Sequence, residues 1–292
     1  MSQSAVLREA SESLAAPLPP LLADAEHLAS TVLLGSHGRR RAGMGDEFWQ
    51  YRPATASDSA RRIDWRRSAR SDDAHFVRET EWQAAQSVQL WVDNAQSMTF
   101  SSKQDIPSKL DRARTLALAI AVLLIRAGER VGLSGRVLPP RAGRLQLMRL
   151  ADLFTATSDD ADYGEPEARG MLPQSRALFI SDFFGDTGPV EVALTKAADR
   201  GVKGVLLQTL DPQEESFPFD GRTRFLSMGG SVEFETLKAS NLRDAYLERL
   251  AERKDWLERI TRVTGWRYTV HHTDTPPLPA LLWLYGALER VR

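Results

Sequence analysis

Short apolar runs alternate with longer amphipathic ones along most of this chain. SVQLWVD (87–93), RVGLSGRVL (130–138), ALFISD (177–182), VKGVLLQTL (202–210) and WRYTVHH (266–272) have the length and β-branched or aromatic content of strands. Between them, SKLDRARTLALAIAVLLIRAG (108–128), RLQLMRLADLF (144–154) and PVEVALTKAADRG (189–201) carry apolar residues at helical spacing. Further helices are predicted over 241–264 and 278–291, with short β segments near Arg224–Leu226 and Val232–Phe234. Upstream, PPLLADAEHLASTVLLG (19–35) reads as a helix that Pro20 starts and Gly35 ends. Its Leu21, Leu22, Ala25, Leu28, Ala29 and Val32 form one stripe.

Strands alternating with helices predict βαβ units, right-handed crossovers and a doubly wound, mainly parallel α/β sheet. The expected organisation is an N-terminal helical and loop extension over residues 1–86, followed by an α/β domain over 87–292. The loop of that extension, SHGRRRAGMGDEFWQYRPATASDSARR, contains Phe48, Trp49 and Tyr51, and aromatics at that density point to packing.

Composition narrows the class. Basic and acidic residues nearly cancel, 38 against 39, so no global field draws in polyanions. The chain has no cysteine, which excludes thiolate catalysis and disulfides and suits a reducing compartment. Its N-terminal residues lack the apolar core of a signal peptide. The longest apolar stretch, LALAIAVLLI (116–125), is about half a bilayer span. A cytoplasmic protein without membrane insertion is expected.

The segment RRIDWRRSAR (61–70) holds five arginines. A phosphate-binding tract keeps such charge unpaired. Residues 39–81 instead interleave ten arginines with eight acids. Ile63 and Trp65 alternate with Asp64, which predicts an extended segment that buries Ile63 and Trp65. Asp64 would then pair with Arg61, Arg70 or Arg78, leaving Arg66 and Arg67 in solvent. The expected arrangement is a structural collar of Arg–carboxylate pairs; nucleic-acid binding is an alternative.

Two predicted strands end in an acid, Asp93 and Asp182, where doubly wound folds place ligands. A strand ending in D-x-S-x-S, with a further Asp after a later strand, resembles the metal-ion-dependent adhesion site of von Willebrand factor A domains. The resemblance implies Asp93, Ser97 and Asp182 as ligands of a Mg²⁺ site. That site is degenerate here: Ala95 replaces the first serine, and PPRAGRLQL (139–147) offers no threonine for the second loop. Mg²⁺ binding is therefore expected to be weak or absent, and Ala95→Ser is expected to tighten it. A metal-dependent hydrolase using Asp93 and Asp182 is the enzymatic alternative, although neither Glu nor His lies near either acid in sequence.

The run GMGDEFWQYRPATASDSARRIDWRRSARSDDAHFVRETEW resembles the signature of a bacterial family, domain of unknown function fifty-eight. Its matching positions include Gly43, Gly45, Glu47, Phe48, Arg52, Asp58, Arg61, Ile63, Asp64, Trp65, Ala69, Arg70, Val77, Arg78 and Glu79. Ser57 departs from the family's usual glycine. The resemblance implies a von Willebrand factor A-like core without established enzymatic activity. It also implies partnership, as an adaptor, with a MoxR-type AAA+ ATPase acting on a client protein. Arg52, Asp58, Arg61, Asp64, Trp65, Arg70, Arg78 and Glu79 are its signature residues, with structural or partner-binding roles.

Overall fold

The computed structural model describes residues 20–32, 39–43, 47–55, 58–59, 63–70, 75–135, 138–155, 160–230 and 233–289. The chain divides into two compact units. One comprises the first helix, α1 (Pro20–Ser30), together with residues 87–292; the other comprises residues 36–86. The organisation therefore differs from a simple boundary at residue 86, because α1 carries its apolar stripe into the core of the larger unit. Leu22, Ala25, Ala29 and Val32 are all buried there.

The smaller unit contains β1 (Arg39–Gly43), β2 (Glu47–Pro53), a single-turn helix α2 (Trp65–Ser68) and β3 (Phe76–Ala84). Its strands form an antiparallel sheet in the order β1-β3-β2, with β2 bulged between Phe48 and Gln50. The sequence pattern predicts a loop over β1 and β2, whereas the structure places strands there. Arg-rich RRRAG has no strand signature of its own, and its pairing with β3 is long-range.

The larger unit continues through β4 (Ser87–Val92), α3 (Lys109–Arg126), β5 (Arg130–Leu133), β6 (Leu138–Arg141), α4 (Arg144–Thr155), β7 (Arg176–Ser181) and α5 (Thr187–Asp199). Next come β8 (Lys203–Leu210), α6 (Pro212–Ser216), the hairpin β9 (Thr223–Leu226) and β10 (Glu233–Thr236), α7 (Ser240–Thr264), β11 (Arg267–His272) and α8 (Pro277–Glu289). Six strands form one sheet in the order β11-β8-β7-β4-β5-β6, parallel except for β6. The run read as one strand over 130–138 is thus split by a turn. Its last residue, Leu138, begins β6, the antiparallel edge strand LPPR.

The sheet is covered on both faces, so its strands are apolar on both sides. Along β7, Leu178 and Ile180 join a core with α1, α3, α4 and α8. Ala177 and Phe179 join the opposite core, with α5, α7 and Trp266. Helix α3 is buried continuously from Leu116 to Leu124, which explains an apolar run with no polar face. Strand order reverses between β4 and β7, so the carboxyl ends of these two strands form the topological switch point.

Candidate functional site

Asp93 follows β4 and Asp182 follows β7, so the switch point brings together the two acids singled out in the sequence. Both are buried, each 1% exposed. Asp93 Oδ1 accepts the Ala95 backbone N–H at 2.9 Å, and Oδ2 accepts the Ser181 hydroxyl at 2.7 Å. The Ser181 oxygen in turn accepts the Phe183 N–H at 2.9 Å. Phe183 adopts a positive φ of 53°, rare for a residue with a Cβ. That turn returns the Phe184 N–H to Asp182 Oδ1 at 3.0 Å. Gly164 closes over Asp93: a Cβ on it would lie 2.2 Å from Oδ1.

The group between these loops is Lys109, at the first position of α3 and 1% exposed. Its ammonium donates to Asp182 Oδ2 at 2.8 Å and to Glu214 Oε1 at 2.6 Å. The rings of Phe184 and Phe100 lie 5.1 and 5.9 Å from it. Burial alone would strip its proton; the charges of Asp182 and Glu214 outweigh that and hold Lys109 above its ordinary value. Glu214 is placed by a capping box on α6, in which Asp211 caps the helix while its N–H donates to Glu214 Oε2 at 2.9 Å. The sequence motif revealed neither Lys109 nor Glu214.

Ser97, the third residue of the adhesion-site pattern, lies in a 3₁₀ turn over Gln96–Thr99. Its Oγ is buried without a hydrogen-bond partner. Among the described residues, no group of three or more His, Asp or Glu side chains is arranged to hold a metal ion. The donor set does not fit Mg²⁺, because the oxygens of Asp93 and Asp182 are already engaged as hydrogen-bond acceptors by the chain itself.

Burial, reinforced by the negative charge of Asp182, raises the Asp93 pKa to about 6. The native state therefore binds a proton that the unfolded chain releases. Through Asp93, acidification from pH 7 towards 4 favours folding, and this contribution disappears as the pH rises through about 6. His271 works in the opposite direction. Burial, with Arg112 and His272 nearby, lowers its imidazole to about 4, so its contribution is lost as the pH falls below the ordinary histidine value. Asp93→Asn separates the two effects. The stability difference between this variant and wild type is expected to shift in the variant's favour by roughly 3 kcal/mol from pH 4 to pH 8. Urea melts at both pH values measure it; a flat difference would mean that Asp93 remains ionised throughout.

Beside the cluster, a cavity of about 400 Å³ opens to solvent. Lys109, Ser97 and Glu214 line its polar side, while Phe225, Met228 and Phe234 line its apolar side. Phe217 anchors the wall, with rings of Phe219, Phe225 and Tyr246 within 4.8–5.7 Å. The rim exposes Leu226, Met228 and Phe234, each about half accessible.

In the smaller unit, Arg52 and Asp58 form a two-pronged pair at 2.6 and 2.7 Å. Arg52, together with the Thr55 backbone and hydroxyl, holds the Asp58 carboxyl far below the usual range. The extended segment expected over 63–65 holds for Ile63, which bridges Val77, and for Asp64, whose backbone is extended, but it ends at Trp65, which is exposed rather than buried. Asp64 caps α2 by accepting the Arg67 N–H at 3.1 Å, and it accepts the Tyr51 hydroxyl at 3.0 Å. A cap starts a helical turn, which carries Trp65 outward to 56% exposure, edge-on to His75. Arg66, Arg67 and Arg70 are exposed, with Arg67 stacked 4.5 Å from the Tyr51 ring centre. Arg61 and the side chains of Arg78 and Glu79 lie outside the described residues. Asp58→Ala is therefore expected to lower the melting temperature more than Trp65→Ala. Thermal denaturation followed by circular dichroism checks this, and the reverse order would contradict the exposure of Trp65.

The family described as "Protein of unknown function DUF58" matches residues 50–255. The chain belongs to this family. Among solved structures, the conserved hypothetical protein BatB from Bacteroides thetaiotaomicron is similar, at 14% identity and a TM-score of 0.43 over 71% of this chain and 98% of that one. An aerotolerance-related membrane protein from Bacteroides fragilis gives 16% identity and 0.42 over 70% and 98% of the two chains. An uncharacterized membrane spanning protein from Vibrio fischeri gives 17% identity and 0.22 over the same shares. No curated protein matches. Among the described residues of this DUF58 protein, no helix is long and apolar enough to cross a membrane.

Proposed function

We propose that this DUF58 protein is a non-enzymatic protein-interaction module with a von Willebrand factor A-like core. In this reading it docks its partner at the carboxyl-end face of the parallel sheet. The partner implied by the resemblance is a MoxR-type AAA+ ATPase, with a client protein passed between them, and the setting is cytoplasmic. One observation supports docking at this face above all: an exposed apolar rim of Leu226, Met228 and Phe234 borders an aromatic cavity at the switch point. Exposed apolar groups gathered around a concavity, with polar groups at its base, have the composition of an interface core.

The acids beneath the rim serve as scaffold in this reading. Asp93 and Asp182 are buried and internally bonded, so neither of these two carboxylates stands free to activate water. Replacing them would disturb the fold before it tested a surface. The informative variant is Leu226→Asp/Phe234→Asp, which places charge on exposed positions of β9 and β10. Co-purification with the MoxR-type ATPase is expected to fall at least about tenfold while the melting temperature holds, as for loss of hot-spot contacts. Undiminished capture by the folded variant would remove this face from the interaction.

A further inference from the structure

The positive charge at the switch point is covalently part of the chain. We infer that the Lys109 ammonium permanently occupies the role of a divalent cation, and that the cluster excludes Mg²⁺ while Lys109 is present.

Mg²⁺ requires about six oxygens in near-octahedral array at close range. Three carboxylates surround Lys109 and its neighbours, and every one of their oxygens already accepts a hydrogen bond. Asp93 serves Ala95 and Ser181; Asp182 serves Phe184 and Lys109; Glu214 serves Lys109 and Asp211. Four of these six bonds come from elements other than a movable lysine tip, so they cannot be vacated without rebuilding backbone turns or the Ser181 contact. The two Lys109 bonds are the exception, one to each of two acids. Approach to Asp93 Oδ1 is closed by the Gly164 backbone. A second cation would also meet the resident ammonium at short range in a poorly screened interior.

The position of Lys109 supports the same conclusion. A cation in the first turn of an 18-residue helix opposes the helix dipole, so the helix gains nothing from placing it there. Its value lies in the bridge between Asp182 and Glu214, which ties the end of β7 to α6. This changes the reason for weak metal binding. The obstacle is the resident charge, and the hydroxyl missing at Ala95 is secondary. Ala95→Ser would add one ligand and free no carboxylate.

The inference is independent of the docking proposal, since capture of a partner and exclusion of a metal can succeed or fail separately. It is tested on the full chain with Mn²⁺ as the probe, followed by electron paramagnetic resonance. Melting temperatures are compared in Mg²⁺ and in EDTA. Wild type and Ala95→Ser are expected to leave the Mn²⁺ spectrum free and to melt alike in both buffers. Lys109→Met, which releases one oxygen on each of two acids, is expected to bind Mn²⁺ about tenfold or more tighter than wild type and to melt higher in Mg²⁺ than in EDTA. A wild-type melting point raised by Mg²⁺ would overturn the inference. So would Mn²⁺ binding gained by Ala95→Ser alone, or a folded Lys109→Met that stays metal-free. The wild-type and Ala95→Ser measurements decide the matter even where Lys109→Met does not fold.

Discussion

Lys109→Met is expected to reduce the free energy of unfolding by about 3–5 kcal/mol, the cost of stranding a buried charge. Methionine preserves most of the stem's volume and flexibility, so little of the loss comes from a cavity. What disappears is the ammonium donor to Asp182, a carboxylate 1% exposed, and one donor to Glu214, which is 15% exposed. A domain of this kind has roughly 5–15 kcal/mol in total, so the variant approaches its folding threshold. The companion Lys109→Met/Asp182→Asn/Glu214→Gln removes the charges together and is expected to recover most of the loss, because uncharged networks of similar shape avoid the desolvation cost. Urea denaturation at neutral pH compares the two. A single variant as stable as wild type would mean that water reaches the cluster.

The second large effect belongs to a glycine in the centre of the sheet. A Cβ at Gly204, near the start of β8, would lie 2.3 Å from the Ala177 carbonyl oxygen of β7. It would also lie 2.8 and 2.9 Å from Cζ3 and Cε3 of Trp266. Neither neighbour can yield. The Ala177 backbone belongs to the parallel pairing of β7 with β8, and the indole is buried, donates to the Val202 carbonyl at 3.2 Å and packs 5.0 Å from Phe179. Gly204→Ala is expected to cost about 3 kcal/mol, the upper range of overpacking. Gly286 in α8 is the control, since a Cβ there meets nothing within 4 Å. Gly286→Ala is expected to gain up to about 1 kcal/mol from helix propensity. Equal losses at the two sites would show that steric fit at β8 is not limiting.

The fold was legible where apolar periodicity is strong. Near-continuous runs such as LFIS and GVLLQTL have the length and composition of strands buried on both faces, and α3 is apolar all round over Leu116–Leu124 because protein surrounds that stretch. Legibility failed where partners are remote. RRRAG is a strand only because β3 pairs with it. Alternation holds through Ile63 and the extended Asp64 and fails at Trp65, where the capping carboxylate starts a helical turn. At the site, the strand-end acids were evident, while Lys109 and Glu214 meet across 105 residues. Two weak signals pointed to them. One was a lysine at the N-terminus of a helix, where the dipole disfavours it; the other was the D-P-x-E capping box at 211–214.

The diproline in β6 has a consequence for life at high concentration. An open sheet presents two unpaired margins, and either can recruit strands from neighbouring molecules. Pro139 and Pro140 both lack an amide hydrogen, and because successive amides of a strand point to opposite sides, one of the two losses falls on the outer margin, so a foreign strand laid against β6 would find its ladder interrupted. Self-association by strand addition is thereby confined to the β11 side of the sheet, where Arg267 sits exposed as a charged gatekeeper. Replacing both prolines with valine would create a second adhesive margin, with fibrillar or amorphous deposits as the visible penalty.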